Sequence, residues 1–143
     1  MRRTGNDRDS ALKHLLIVYH SKTGNTQLLT DAVVHGAMNC EVTAVEVRVL
    51  RALEAGPEDL LWADALLLGT PENFGYLSGA VKDFLDRTFY EVEGKLAPLP
   101  YAIYVSAGND GTGAVRAVAP AARVTARFRP GGRCCCGGGG GRR

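Results

Sequence analysis

Four hydrogen-bonding side chains lie within six residues of the segment YHSKTGNT, namely Ser21, Thr23, Asn25 and Thr26. They directly follow the apolar run LLIVY and precede a stretch with helical spacing. The first backbone N–H groups of a helix have no intrahelical acceptor, and the helix dipole adds a partial positive charge there. Such N–H groups, together with hydroxyl and amide donors, can bind a phosphate. Gly24 allows the backbone to approach that phosphate closely.

A single Ser or Thr that caps the helix is the simpler interpretation of the same segment. Four capping-type residues directly after a buried strand favour the phosphate site over that alternative. The segment is not a Walker loop, because Lys22 precedes Gly24 and no second glycine has the required spacing. The dinucleotide pattern G-x-G-x-x-G does not occur either.

Two further polar loops follow predicted strands. The loop from Thr70 to Gly79 carries Pro71, Phe74 and Tyr76, which suggests a planar ring ligand beside the phosphate. Its alternative is a tight turn whose aromatic side chains fold into the core. The loop 106–113 is small and glycine-rich, as backbone that approaches a flat ligand requires, or else it is a helix start capped by Asp110.

Alternating strands and helices position these loops. Apolar runs predict strands over residues 14–20, 41–50, 65–71 and 101–108, and helical spacing predicts helices over 26–37, 56–64 and 78–92, with a fourth helix from about residue 110 that ends at Pro120 or shortly before it. This pattern indicates a parallel sheet covered by helices on both faces. In such sheets ligands bind at the carboxyl ends of the strands, where all three loops should emerge.

Two of the helices have predicted apolar faces. The first should bury the side that carries Leu28, Leu29, Ala32 and Val33. In the helix 78–92 the apolar periodicity is clearest, and it is carried by Val81, Phe84, Leu85, Thr88, Phe89 and Val92.

Composition limits the class of protein. The chain has 143 residues, with 45% hydrophobic and 22% charged residues, as in a single globular domain. Its longest early apolar run, 15–19, is far shorter than the roughly 20 residues of a membrane span, and no signal peptide is evident, so we expect a cytoplasmic protein that does not enter membranes. Residues 1–120 carry eleven basic and fifteen acidic side chains, net −4, so we expect no nucleic-acid surface.

The last residues differ from the rest. After Pro120 the chain has no acidic residue, six arginines, seven glycines and the triplet Cys134–Cys136, which lacks metal-ligand spacing. Apart from a brief strand over 123–128, we expect this segment to be disordered. We therefore divide the chain into an N-terminal extension (1–13), one domain (14–120) and a tail (121–143), and predict no metal site.

The three loops together resemble a known family. LLIVYHSKTGNTQLL is similar to the phosphate-binding segment of flavodoxins, and ADALLLGTPENFGYLSGAVKDFLDRTFY resembles the second flavin loop of flavodoxin-like NAD(P)H-dependent FMN reductases and quinone reductases. YAIYVSAGNDGTGAVRAV looks like their third loop. The resemblance covers residues 14–119. It implies a flavodoxin-like three-layer α/β/α fold with a parallel sheet of strand order 2-1-3-4-5, although no convincing fifth strand is present in the sequence.

The resemblance also implies a set of FMN-binding residues. By their match to the family motifs they are Ser21, Lys22, Thr23, Gly24, Asn25 and Thr26 at the phosphate, Pro71, Glu72, Asn73, Phe74, Gly75 and Tyr76 along the isoalloxazine, and Ser106, Ala107, Gly108, Asn109, Asp110 and Gly111 on its other side. No catalytic acid or base is implied, because flavin N5 accepts the hydride. We expect His20 to lie against the strand end and His35 to lie on the surface of the first helix.

The implied function is electron transfer from NAD(P)H to a quinone, flavin or similar small acceptor, with pairing of chains into a homo-oligomer. A flavodoxin-type electron carrier without NAD(P)H turnover is the first alternative. The second is an inactive truncated product, because the tail replaces the last helix and strand of the family and resembles out-of-frame translation of a GC-rich gene.

Overall fold

The structure is a computed structural model that describes residues 12–39 and 44–125, and for residues 121–125 the backbone only. The strands are β1 (Lys13–Tyr19), β2 (Val45–Arg51), β3 (Ala65–Asn73), β4 (Tyr76–Leu77) and β5 (Tyr101–Ser106). The helices are α1 (Asn25–Met38), α2 (Pro57–Trp62), α3 (Gly79–Val92) and α4 (Thr112–Thr125).

Four strands form the predicted parallel sheet, in the order β2-β1-β3-β5. Tyr19 is in register with Arg51 on one side and Gly69 on the other, and Pro71 is in register with Ser106. Counted among parallel strands alone, this order is 2-1-3-4, which confirms the prediction as far as the fourth strand. The described residues contain no fifth parallel strand.

The main core lies on the face of the sheet that α2, α3 and α4 cover. Alternate residues of β1 and β3 point there because side chains of a strand alternate between its faces. The buried cluster includes Leu16, Val18, Leu66 and Leu68 from the sheet, Leu60 from α2, Val81, Phe84, Leu85 and Val92 from α3, and Val118 from α4. The predicted apolar face of α3 is confirmed, with Thr88 also buried and Phe89 half-buried.

The predicted apolar face of α1 is wrong. Leu28 is 70% exposed and Leu29 is 40% exposed, whereas Thr26 and Thr30 are only 1% exposed. The physical reason is the sheet beneath this helix, which presents the hydroxyl groups of Tyr19 and Tyr104. Polar side chains of α1 therefore face the sheet, and leucines face outward.

The expected end of α4 at Pro120 is also wrong, because the helix continues to Thr125. Proline removes one helical N–H and crowds the carbonyl four residues earlier. Pro120 and Arg116 are both exposed, so water can satisfy the carbonyl that loses its partner. Residues 121–125 of the predicted tail, which include 123–125 of the brief strand, therefore belong to a helix, and residues 126–143 lie outside the described residues.

Strand β4 was not predicted. β3 continues two residues beyond its expected end, and β4 returns antiparallel to it, pairing Glu72 with Leu77 and Asn73 with Tyr76. The predicted second loop is therefore largely a β-hairpin that projects from the carboxyl edge of the sheet.

Candidate functional site

The first loop leads from β1 into α1 through Gly24. This residue is the N-cap and has φ of +100°, a left-handed conformation that only glycine adopts without strain. The N–H of Gly24 donates to Ser21 Oγ at 3.1 Å, which folds the loop back on itself. The Ser21 hydroxyl keeps its own proton available for donation, because here it acts as an acceptor.

The N-terminus of α1 carries free hydrogen-bond donors. No side chain caps it, so the simple capping alternative does not describe this helix. The N–H of Leu28 bonds the Gly24 carbonyl at 3.1 Å, but those of Asn25, Thr26 and Gln27 have no acceptor within the described residues. Three aligned donors at the positive end of a helix dipole form a binding site for an anion such as phosphate.

The side chains of the first loop are not equally accessible. Lys22, Thr23 and Asn25 are exposed and Ser21 is half-buried, so these four can reach a ligand above the loop. Thr26 is buried at the base of the helix and contributes to such a site chiefly through its backbone N–H.

His20 lies directly after β1, at the strand end as expected, and is half-buried. Its backbone N–H donates to the Gly69 carbonyl at 3.0 Å. Burial lowers the pKa of its imidazole, and the positive charges of Arg51 and Lys22 lower it further. His35 is exposed on α1, as predicted.

The hairpin of the second loop presents its aromatic residues to solvent. Its turn is formed by Phe74 with φ of +52° and Gly75 with φ of +71°. The Phe74 side chain is fully exposed and Tyr76 is about half exposed, while Leu77 is the residue that enters the core. The alternative in which both aromatics fold into the core therefore does not hold.

The base of the hairpin is fixed by two hydroxyl groups. Thr70 Oγ1 accepts the N–H of Ser78 at 3.0 Å and donates to the Pro71 carbonyl at 2.9 Å. Ser78 Oγ in turn accepts the N–H of Val81 at 3.3 Å and so caps α3. These bonds hold the hairpin at a fixed angle to the sheet edge.

The third loop starts a helix in the way its alternative interpretation anticipated. Asp110 Oδ1 accepts the N–H of Thr112 at 3.0 Å. Hydrogen bonds from Thr112 lower the pKa of this carboxyl, and nearby Arg116 adds to the effect. The Asp110 carboxylate therefore holds the start of α4, which leaves the exposed backbone of 107–109 as the part of the loop open to a ligand.

The second and third loops form one unit. The Glu72 carboxylate accepts the N–H of Ala114 at 3.2 Å, in the first turn of α4. A Cβ atom on Gly113 would lie 1.9 Å from the Gly75 carbonyl oxygen, so the hairpin turn lies directly against the start of that helix. Glu72 is thus used, at least in part, to join two loops.

Sequence reasoning did not identify the residues that orient α1. The Thr30 hydroxyl donates to the Thr26 carbonyl at 2.8 Å, so Tyr104 is the donor in the 2.8 Å bond between the Tyr104 and Thr30 hydroxyls. Tyr19 donates to Gln27 Oε1 at 2.7 Å. Together these bonds attach the first turns of the helix to β1 and β5.

Tyr104 fits because its cross-strand neighbour is Gly69. A Cβ atom at residue 69 would lie 2.3 Å from Cζ of the tyrosine ring. A glycine in a buried strand next to a strand with a central tyrosine is the sequence signal that could have indicated this contact.

The comparisons with known proteins agree with this geometry. A family model described as NADPH-dependent FMN reductase matches residues 14–128. The chain belongs to this family. The match extends past Pro120, and it confirms the resemblance inferred from the three loops.

Curated relatives include a flavodoxin and NAD(P)H dehydrogenases (quinone). A flavodoxin of Aquifex aeolicus is 40% identical over 87 residues, which cover 58% of this chain and 46% of the relative. An NAD(P)H dehydrogenase (quinone) of Acidithiobacillus ferrooxidans is 30% identical over 115 residues, covering 66% of this chain and 57% of the relative. The chain thus spans about half the length of the curated relatives it matches.

Solved structures show the flavodoxin fold. An archaeal flavodoxin superposes with a TM-score of 0.66 at 23% identity, over 79% of this chain and 75% of that one. An oxidoreductase from Corynebacterium diphtheriae gives 0.67 at 18% identity, over 83% and 79%. The predicted flavodoxin-like fold is confirmed.

Family and fold together point to FMN as the cofactor. The residues present fit it, since the free donors at α1 suit its phosphate and the exposed aromatics of the hairpin stand at the same sheet edge. Across residues 12–39 and 44–125, no helix is long and apolar enough to cross a membrane, and no three His, Cys, Asp or Glu side chains are grouped as metal ligands.

Proposed function

We propose that this chain is an FMN-dependent oxidoreductase that takes electrons from NAD(P)H and passes them to a quinone, flavin or similar small acceptor. The observation that carries the proposal is the uncapped N-terminus of α1, with its three free N–H donors, in a chain of this family. NAD(P)H dehydrogenase (quinone) relatives support the choice of reductant and acceptor.

The chain's own residues bind and orient in this proposal. The N–H groups of Asn25, Thr26 and Gln27 and the hydroxyls of Ser21 and Thr23 bind the phosphate of the cofactor. The remaining predicted residues of the first loop, Lys22 and Gly24, lie beside it. When bound, FMN supplies the hydride-accepting chemistry.

The unit formed by the second and third loops borders the ring of the cofactor. Its predicted contacts are Pro71, Glu72, Asn73, Phe74, Gly75 and Tyr76 on the hairpin, and Ser106, Ala107, Gly108, Asn109, Asp110 and Gly111 on the third loop. The exposed Phe74 and Tyr76 offer apolar surface to a planar acceptor at the edge of the flavin. A cytoplasmic location and pairing of chains belong to the same proposal.

A flavodoxin-type electron carrier is the second candidate, and the Aquifex aeolicus relative favours it. Both candidates need FMN, so cofactor binding cannot separate them. NAD(P)H oxidation can, because a carrier receives its electrons from a partner protein.

The test begins with the visible absorption spectrum of the purified protein after FMN is added and the excess removed. A retained flavin band, followed by steady NADH or NADPH oxidation with a quinone, is the expected result. Flavin retention with no turnover would support the carrier instead. No retained flavin, with or without a cooperative unfolding transition, would overturn both.

Two asparagines at the opposite ends of α1 give a matched pair of variants. Asn25 begins the helix at the proposed phosphate, and Asn39 follows its last residue, donating to the His35 carbonyl. Asn25→Ala should weaken FMN binding about 10-fold or more, because a hydrogen bond to a charged group contributes about 1.5–3 kcal/mol. Asn39→Ala should leave the affinity unchanged. Equal effects would contradict the assignment.

A further inference from the structure

A cavity lies beside the first loop, at the carboxyl ends of β1 and β2. Its volume is about 200 Å³, and it is lined by His20, Ser21, Arg51, Leu53 and Glu54. It shares the sheet edge with the proposed FMN site because Tyr19, just before His20, is in register with Arg51. The turn after β2 forms one wall of this cavity, and that turn belongs to none of the three predicted flavin loops.

The turn 52–55 that forms this wall is held by bonds that involve no ligand. The N–H of Ala52 donates to the Tyr19 carbonyl at 2.8 Å, which joins the turn to β1. The guanidinium of Arg87, on α3, donates to the Ala52 carbonyl at 2.9 Å and to the Ala55 carbonyl at 3.2 Å. The wall of the cavity is thus built into the fold.

Two cations beside the cavity lack acidic partners. Arg48 is paired with Asp59 and Arg87 with Asp83, but neither Arg51 nor Lys22 forms an ion pair within the described residues. Their fields both reach His20, where they add to the effect of burial and lower the pKa of the imidazole. The lining itself carries one positive and one negative side chain, Arg51 and Glu54, and the nearby Lys22 gives the region its net positive charge.

We propose that this cavity binds a phosphate monoester of a nucleotide, held by the guanidinium of Arg51 with the help of Lys22 and His20. Arginine presents a planar set of donors that matches phosphate oxygens, and an unpaired arginine keeps them available. Leu53, which is 64% exposed, offers apolar surface for the adjoining sugar or base. The inference rests on the proposed function, which brings two such phosphates to this edge, that of FMN and the 2′-phosphate of NADPH.

Arg51→Gln tests the proposal, and Lys95→Gln on the loop before β5, at the opposite edge of the sheet, removes the same charge as a control. Dissociation constants for FMN and riboflavin are compared first. KM values for NADPH and NADH are then measured on the FMN-saturated protein. In Arg51→Gln we expect the dissociation constant or KM of one phosphate-bearing ligand to rise about 10-fold or more. The same values should not change in Lys95→Gln.

The two sources give different patterns. Weaker FMN with unchanged riboflavin assigns the cavity to the flavin phosphate. A raised KM for NADPH with unchanged KM for NADH assigns it to the 2′-phosphate. Unchanged values for all four ligands, or equal losses for FMN and riboflavin together with equal losses for NADPH and NADH, would overturn the proposal.

A measurement that needs no turnover separates this proposal from the proposed function. Proton NMR can follow His20 while inorganic phosphate is added, with His14 and His35 as internal references. Bound phosphate should raise the pKa of His20, because an anion favours the imidazolium form. The rise should be lost in Arg51→Gln. If the pKa of His20 does not change when phosphate is added, the cavity does not bind phosphate, even in a protein that binds FMN.

Discussion

Helices α1 and α3 are each 14 residues long and each begins just beyond the carboxyl end of a strand, yet the fold holds them in opposite ways. Ser78 caps α3, and five residues of that helix are buried against the core. No side chain caps α1, which buries only Thr26 and Thr30 and leaves Leu28 on the outside.

This difference separates a helix that stabilises the fold from one that serves a ligand. In α3 the Ser78 side chain satisfies one first-turn donor, the N–H of Val81, and apolar burial positions the helix. α1 keeps its first-turn donors free and is positioned by hydroxyl contacts with Tyr19 and Tyr104. Substitutions in the two helices should therefore affect different measurements.

Phe84→Ala should give the largest loss of stability. Phe84 is fully buried in the cluster between α3 and the sheet, and removing such a ring leaves a cavity that costs about 3–5 kcal/mol. Chemical denaturation of the FMN-free protein would measure it. Tyr90→Ala, exposed on the same helix, should change stability by less than about 0.5 kcal/mol. Similar losses for both would mean that α3 is not held by its buried face.

Gly24→Ala and Gly36→Ala add the same methyl group at the N-cap of α1 and near its end, and they should have opposite effects on stability. At Gly24, with φ of +100°, alanine is strained by about 1–2 kcal/mol, and relief of that strain would turn the free donors away from the phosphate. At Gly36, in the helix interior with open space for a Cβ atom, alanine should stabilise by about 0.5–1 kcal/mol.

FMN titration distinguishes the two glycine variants. Only Gly24→Ala should bind the cofactor more weakly. Weaker binding by Gly36→Ala, or normal binding by Gly24→Ala, would show that the conformation at the start of α1 does not control the site.

The parts of the fold predicted from sequence are those in which one physical signal dominates. Apolar runs, and in the second strand a valine-rich partial alternation, predicted four parallel strands. The regular spacing from Val81 to Val92 predicted the buried side of α3. The shared edge of the three loops followed from the parallel sheet alone.

The errors arose where tertiary contacts override local pattern. The leucines of α1 suggested the wrong face, because nothing in its own sequence reveals two tyrosine hydroxyls on the sheet. The hairpin after β3 was missed because its turn places Phe74, a residue that seldom adopts positive φ, before Gly75. The contact of Gly75 with Gly113 joins residues far apart in sequence, which no local signal reports.

Two serines, one before each helix, allow α1 and α3 to be compared at the level of single hydrogen bonds. Ser78 and Ser21 each accept a backbone N–H three residues further along, at 3.3 Å and 3.1 Å. Ser78→Ala should cost about 1 kcal/mol of stability, as loss of a helix cap does, with little change in FMN affinity. Ser21→Ala should mainly weaken FMN binding. If both variants lose only stability, or both lose only FMN affinity, then α1 and α3 do not have the separate roles described above.

Tyr104→Phe tests whether the attachment of α1 depends on pH. Burial raises the pKa of Tyr104 to about 12, so the folded state keeps a proton that the unfolded chain loses above its ordinary value of 10. The stability contributed by this hydroxyl is complete below that ordinary value and is lost as pH rises toward about 12. The free energy of unfolding should therefore fall more steeply between the ordinary pKa of 10 and the folded-state pKa of about 12 in the parent than in Tyr104→Phe. The exposed Tyr90, changed to Phe, should leave the parent's slope unaltered. Equal slopes for parent and Tyr104→Phe would mean that the Tyr104 hydroxyl is not buried between α1 and the sheet.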